Sequence, residues 1–383
     1  MPLLAGLGGV PARMLRQPSD IRPEGGLSLR LVLSTTGTRN PQAHVGALLR
    51  RCLQVSLALS IASHAHSQSQ PSACTTQSAM TSEVRQSLAD TALALATAIK
   101  GNDTERVRSM SAPAIASNFD STVFVIHQTS AAIANDNLVV TQLYRLDASS
   151  RKPNDPAVAS FGCPLAGSTN EVEFSIPGLP PGIYAFVVVE ANGDRPWMLP
   201  ILLQQQGADW KMAGFYPHAR TTAGHDGLWY WTTARANAKA GKKWLAWVQY
   251  GEADQLLRPA NFTASTHLNQ LRDERRTNAP GELSDGISAE TPLVIKAKEG
   301  PEFHFTSLGT AATDDGKALN LVLHYQADSV TDSGAANTRN TAAASAMLTA
   351  HPELREGFSG VSIFAEAPGQ TPFVTAQSLA EIH

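Results

Sequence analysis

Two spacings of apolar residues divide this chain. Steps of three and four mark helices within residues 81–133 and 227–276, and alternation marks strands within 138–216 and after 293. Val84, Leu88, Leu93, Leu95, Ala96 and Ile99 give the first helix an apolar face, and Gly101-Asn102-Asp103 stop it. A short helix is predicted over 103–112, capped by Asp103 or Thr104 and closed by Pro113. Residues 117–133 fit either spacing, and their length favours a helix. Strands are predicted at Leu138–Leu146, Val172–Ile176, Ile183–Val189, Trp197–Gln204 and Trp210–Tyr216. Asn192-Gly193-Asp194 and Gly207-Ala208-Asp209 supply hairpin turns, and Leu179-Pro180-Pro181-Gly182 a tight connection.

A helical hairpin follows. Its first helix, over about 227–240, carries Leu228, Trp231, Ala234 and Ala238 on one face. Its second, over 243–257, carries Trp244, Trp247, Tyr250, Ala253 and Leu257. Gly241 suits the left-handed residue that ends a helix, and Pro259 cannot continue the second one. Residues 214–259 hold four of the six Trp and three of the six Tyr, which makes this stretch the expected core between two folded parts. Beyond a polar helical piece at 261–276, strands are predicted at Leu293–Ala297, Glu302–Leu308, Leu319–Gln326, Val361–Ala365 and Phe373–Thr375. A helix is expected over 337–350 and a turn at Asp314-Asp315-Gly316.

The expected class is therefore α+β: helices with an antiparallel, cone-like meander, a helical hairpin, and a C-terminal α+β domain. The 383 residues divide into a disordered leader or over-extended start (1–44), a signal peptide (45–67), a linker (68–81), a first α+β domain (82–218), the hairpin (219–276), a linker (277–290) and a second α+β domain (291–383).

The export reading rests on Arg50-Arg51, the apolar run Cys52–Ala62 and the small-residue pattern Ala65-His66-Ser67, the layout of a secretory signal. That run is too short to span a bilayer, so no integral membrane segment is expected after its removal. Residues 1–66 hold seven Arg and two acids, so the chain's formal charge of −3 becomes −8 without them. An acidic chain with no basic cluster is not expected to bind nucleic acid. Cys74 and Cys163 then remain, and two cysteines in an exported chain are most simply one disulfide.

Gly241, Ala246, Tyr250 and Ala253 stand in the register of a tetratricopeptide-type hairpin, which this stretch resembles once only. That resemblance implies a peptide groove lined from the first helix. Helices followed by a meander that ends in Trp210-Lys211 and Gly214-Phe215-Tyr216 look like the nuclear-transport-factor-2-like (SnoaL-like) cone fold over 82–218. This implies an interior pocket in which the family's enzymes place an Asp–His or Asp–Arg pair. Asp120 and His127 are the pair of that chemistry in the helical part. The Leu179–Gly182 turn is instead similar to transthyretin-like β-sandwich modules. The C-terminal part resembles no family in its motifs.

No Walker loop, dinucleotide-binding glycine turn, HExxH, CxxC or G-x-S-x-G appears. No catalytic residue, metal ligand or cofactor is therefore assigned. His218, Arg220, His225 and Asp226 crowd the joint before the hairpin, beside Trp229 and Trp231, and these six are the binding candidates. His218 and His225 suit a metal or a pH response; alternatively, His225 and Asp226 simply cap the helix. The expected protein is an exported, periplasmic or secreted, non-catalytic binding or scaffold protein of a bacterial envelope, with a protein or small molecule as partner. The alternative is a small-molecule carrier or enzyme using the cone interior.

Overall fold

The computed structural model describes residues 73–382 apart from positions 299 and 314. The leader, the signal segment and residues 68–72 lie outside the described residues. The chain begins with β1 (Cys74–Thr76), α1 (Ser82–Lys100), α2 (Thr104–Ser109), α3 (Pro113–Ala116) and α4 (Asp120–Ile133). The meander is β2 (Asn137–Asp147), β3 (Val158–Pro164), β4 (Glu171–Pro177), β5 (Ile183–Asn192), β6 (Trp197–Gln206) and β7 (Asp209–Phe215). Short strands β8 (His218–Ala219), β9 (Thr221–Thr222) and β10 (His225–Asp226) lead into α5 (Gly227–Lys239) and α6 (Lys243–Leu257). There follow β11 (Thr263–Ser265), α7 (Thr266–Thr277), β12 (Leu293–Lys296), β13 (Glu302–Ala312), β14 (Leu319–Gln326), α8 (Ser333–Ala350), β15 (Gly360–Glu366) and β16 (Phe373–Ser378). The fold is α+β, its sheets are mainly antiparallel, and none closes into a barrel.

The large sheet runs β1-β2-β5-β6-β7, with β8 on β6, and the small sheet runs β11-β4-β3. Strand β5 explains the layering. Ala185, Val187 and Val189 face a core built with Leu88, Leu95, Ile99, Ile126 and Ile133 of α1 and α4. Tyr184, Phe186 and Val188 face the opposite way, toward Phe161, Phe174 and Ile176 of the small sheet. A strand covered on both sides needs apolar residues at successive positions, hence its unbroken run. The order is helices, large sheet, small sheet.

The helices start and stop as their caps dictate. Thr81 accepts from the Val84 amide and Asp103 from the Arg106 amide, each bonding a helix's free N–H. Pro113 opens α3 rather than merely closing α2, since proline's missing N–H costs nothing in a first turn. β1 lies where a linker was expected. It pairs with β2, and Cys74 bonds Cys163 of β3, with Cα atoms 5.3 Å apart. The disulfide thus joins the large sheet to the small one.

Helix α6 is buried around most of its circumference. Trp244, Ala246, Tyr250 and Ala253, but also Leu245, Val248 and Leu256, belong to one core with Phe303, Phe305, Leu321 and Ile363 of the last sheet. Helices α5 and α6 approach closely at Gly227, where a Cβ would come 2.5 Å from Leu257 Cγ. Gly241 turns between them at φ +79°. The last sheet runs β12-β13-β14-β15-β16, with β14 and β15 parallel across α8. Fully buried Asn340 of α8 pins that crossover. It accepts from Tyr325 Oη at 2.9 Å and donates to Thr375 Oγ1 at 3.0 Å.

Candidate functional site

The helix-covered face of the large sheet is filled. Leu143, Val187, Leu199, Ile201 and Leu203 pack there against α1 and α4. Asp120 and His127 are both exposed on α4. A cleft opens instead on the opposite face, at one end of the two-sheet sandwich. It has a volume of about 540 Å³, within the ~300–1,000 Å³ usual for small-molecule sites.

The two sheets supply its walls. Tyr144 of β2 and Phe186 of β5 come from the large sheet, Val172 and Phe174 of β4 from the small one. Phe174 stands edge-on to both Tyr144 and Phe186, with ring centroids 5.2 Å apart in each pair. Leu228 and Trp231 of α5, with Leu257 and Pro259 at the end of α6, close another side, and Thr263–Leu268 complete the rim. Leu228 is 58% exposed at the mouth.

The polar groups at the cleft are few. Tyr144 Oη donates to Gln142 Oε1 at 3.3 Å, and burial pushes the Tyr144 phenol above its ordinary pKa. Ser265 Oγ accepts from the Leu268 amide and Thr266 Oγ1 from the Glu171 amide, so both hydroxyls already serve the backbone. Neither Lys nor Arg lines the cleft.

Trp231 is held from behind. Its Nε1 donates to Glu274 Oε2 at 2.8 Å, while Arg235 binds the same carboxylate through Nε at 2.7 Å and Nη2 at 2.6 Å. The Arg235 guanidinium also lies 4.4 Å from the indole centroid. Arg235, helped by Trp231, holds the Glu274 carboxyl down at about 2.

Of the six residues singled out from the sequence, His225, Asp226 and Trp229 meet at the start of α5, and Trp231 alone lines the cleft. Asp226 caps α5, accepting from the Trp229 amide at 2.8 Å. His225 stacks on Trp229 with centroids 3.6 Å apart. Arg220 pairs with Glu190 at 2.7 Å. His218 Nδ1 lies 3.3 Å from the Tyr216 carbonyl, and its Nε2 is buried without a partner. Burial, reinforced by Arg258 and Arg220, lowers its pKa. Among the described residues no cluster of three or more His, Cys, Asp or Glu could hold a metal.

The cleft-lining residues that sequence reasoning did not select are Tyr144, Phe174 and Phe186. They lie on predicted strands, but the pairing of β11 with β4 that turns them into a wall was not visible. No family model, characterised protein or solved structure matches this chain.

Proposed function

We propose that this is an exported, non-catalytic binding protein that carries a small molecule in the cleft at the end of the sandwich. The observation that carries the reading is the wall of Tyr144, Phe174, Phe186 and Trp231 around an open volume of about 540 Å³, with half-exposed Leu228 at its mouth. Apolar lining with a few placed polar groups is the usual constitution of a ligand site. Glu171 and His267 are the carboxylate and imidazole of the lining, and among the described residues no hydrogen bond or ion pair joins them, which supports binding over catalysis.

The filled helix-covered face supports a ligand outside the cone interior. The buried Cys74–Cys163 disulfide suits an oxidising compartment, and periplasmic or secreted residence is part of this proposal. No helix among the described residues is long and apolar enough to cross a membrane. The cone-fold and tetratricopeptide resemblances remain proposals about ancestry, and the ligand reading does not depend on them.

The test is titration with the neutral apolar dye N-phenyl-1-naphthylamine. Saturable, one-to-one fluorescence enhancement is expected. The Leu228→Asp variant, whose carboxylate suits a helix N-terminus, should weaken it about tenfold, ~1.4 kcal/mol, at an unchanged melting temperature. Absence of saturable binding, or indifference to this substitution, contradicts the reading.

A further inference from the structure

We infer that the cleft selects uncharged ligands: an apolar body bearing a hydrogen-bond acceptor, rather than a fatty acid or a cationic amphiphile. The inference rests on the binding reading above and adds the ligand's class.

The argument is one of charge. A charged group taken into an apolar site loses its hydration, a cost of several kcal/mol unless an opposite charge meets it. No Lys or Arg stands in the lining to meet an anion. Glu171 is the one carboxylate at the rim, and it faces away. Its Oε1 lies over Gly162, in space that any side chain at that position would need. Glycine there lets the carboxylate lie on the outward side of the small sheet, with Gly162 and Glu173 on the same exposed face.

The Arg, Asp and Glu side chains of α5, α6 and α7 stand outside the lining. Arg235 and Glu274 form a two-bond pair, and Asp254, near the end of α6, is bonded to both Arg258 and Arg272. His267 is an exposed imidazole at the mouth. What remains is a mainly apolar lining, with Tyr144, Phe174, Phe186 and Trp231 nearly buried at its base and two amides, Gln142 and Asn170, among its polar groups. Gln142 accepts from Tyr144 through Oε1, which leaves its N–H groups to donate to a carbonyl, ether or hydroxyl oxygen.

A matched pair of dyes tests this. N-phenyl-1-naphthylamine is neutral, and 1-anilinonaphthalene-8-sulfonate is the same ring system carrying a sulfonate. The protein should bind the neutral dye at least about tenfold more tightly. Leu228→Lys and Leu228→Asp both remove the leucine's apolar contact and should weaken the neutral dye alike, but only the lysine should strengthen sulfonate binding, narrowing the ratio to about threefold or less. Equal affinities in the unaltered protein would overturn the selectivity while leaving the site intact. A ratio unmoved by Leu228→Lys would show that the discrimination arises elsewhere and would equally overturn it. Binding of neither dye would instead remove the binding reading itself.

Discussion

Trp231 and Glu274 share a 2.8 Å hydrogen bond from indole Nε1 to carboxylate Oε2, which ties α5 to α7 at the edge of the cleft. The bond fixes an aromatic ring whose other contacts belong to the core shared by α6 and the last sheet. Ligand wall and structural core therefore meet in one side chain.

That bond should be measurable. Trp231→Phe keeps the ring and removes the donor, and Glu274→Gln keeps an acceptor but removes the charge paired with Arg235. Each is expected to destabilise by about 1 kcal/mol, as Arg235 is partly exposed and surface pairs contribute little. A double-mutant cycle should give a coupling of about 0.5–1.5 kcal/mol. Since the folded carboxyl is lowered to about 2, its contribution is full above ~4.5 and is lost as pH falls toward 2. Strict additivity of the two substitutions would show that the bond contributes nothing.

Glu252 of α6 behaves in the opposite sense. It is 4% exposed, and Thr310 of β13 donates to it. Among the described residues no cation pairs with it, and burial raises its pKa, offset in part by Thr310 and Thr222. A raised carboxyl contributes stability below its unfolded value of ~4.5 that is lost as pH rises through the folded pKa. Glu252→Gln should therefore raise the melting temperature near pH 7.5 by about 2–4 °C and reduce its dependence on pH above 4.5. A lower melting temperature at pH 7.5 would mean that the carboxylate is compensated.

His218 and His351 should make the protein acid-sensitive. Each has a buried, unpartnered Nε2, and burial lowers both pKa values; Arg258 and Arg220 add to the effect at His218, whereas Glu353 and Glu282 oppose it at His351. The unfolded chain then takes up protons first. Stability is full above ~6.5 and falls with pH below that, by up to about 1.4 kcal/mol per pH unit for each group. Replacing both by Asn should flatten the melting temperature between pH 7 and 5. An unchanged slope would assign acid sensitivity to other groups.

The disulfide closes a separation of 89 residues, for which the chain-entropy account expects about 4.6 kcal/mol. The paired Cys74→Ala, Cys163→Ala variant should unfold at correspondingly lower denaturant, and dithiothreitol should reproduce the shift. Equal midpoints with and without reductant would show that the two sheets hold each other without the bond.

Long elements were legible in the sequence because their burial is simple. Helix α1 buries one face, and β5 and β6 read as apolar runs between turn residues. β3 was not, since Gly162 and Pro164 interrupt it and its partner β4 lies across a polar loop. β1 is three residues long, and nonlocal bonds, to β2 and through Cys74, make it a strand. In α6 the spacing showed one face, whereas Leu245, Val248 and Leu256 bury others against elements far along the chain. The candidate residues, Trp231 apart, do not line the cleft for the same reason. His218, Arg220, His225 and Asp226 are close in sequence but serve caps, stacks and local ion pairs, while the cleft is assembled from β2, β4, β5, α5 and β11. Trp231 alone belongs to both.

The most direct test of the account is a crystal structure of the protein with N-phenyl-1-naphthylamine bound. The account places the dye in the cleft at the end of the sandwich, against Phe174 and Trp231 and beneath Leu228, with no charged side chain against its rings. Dye density under α1 and α4, or on the surface with the cleft empty, would contradict it.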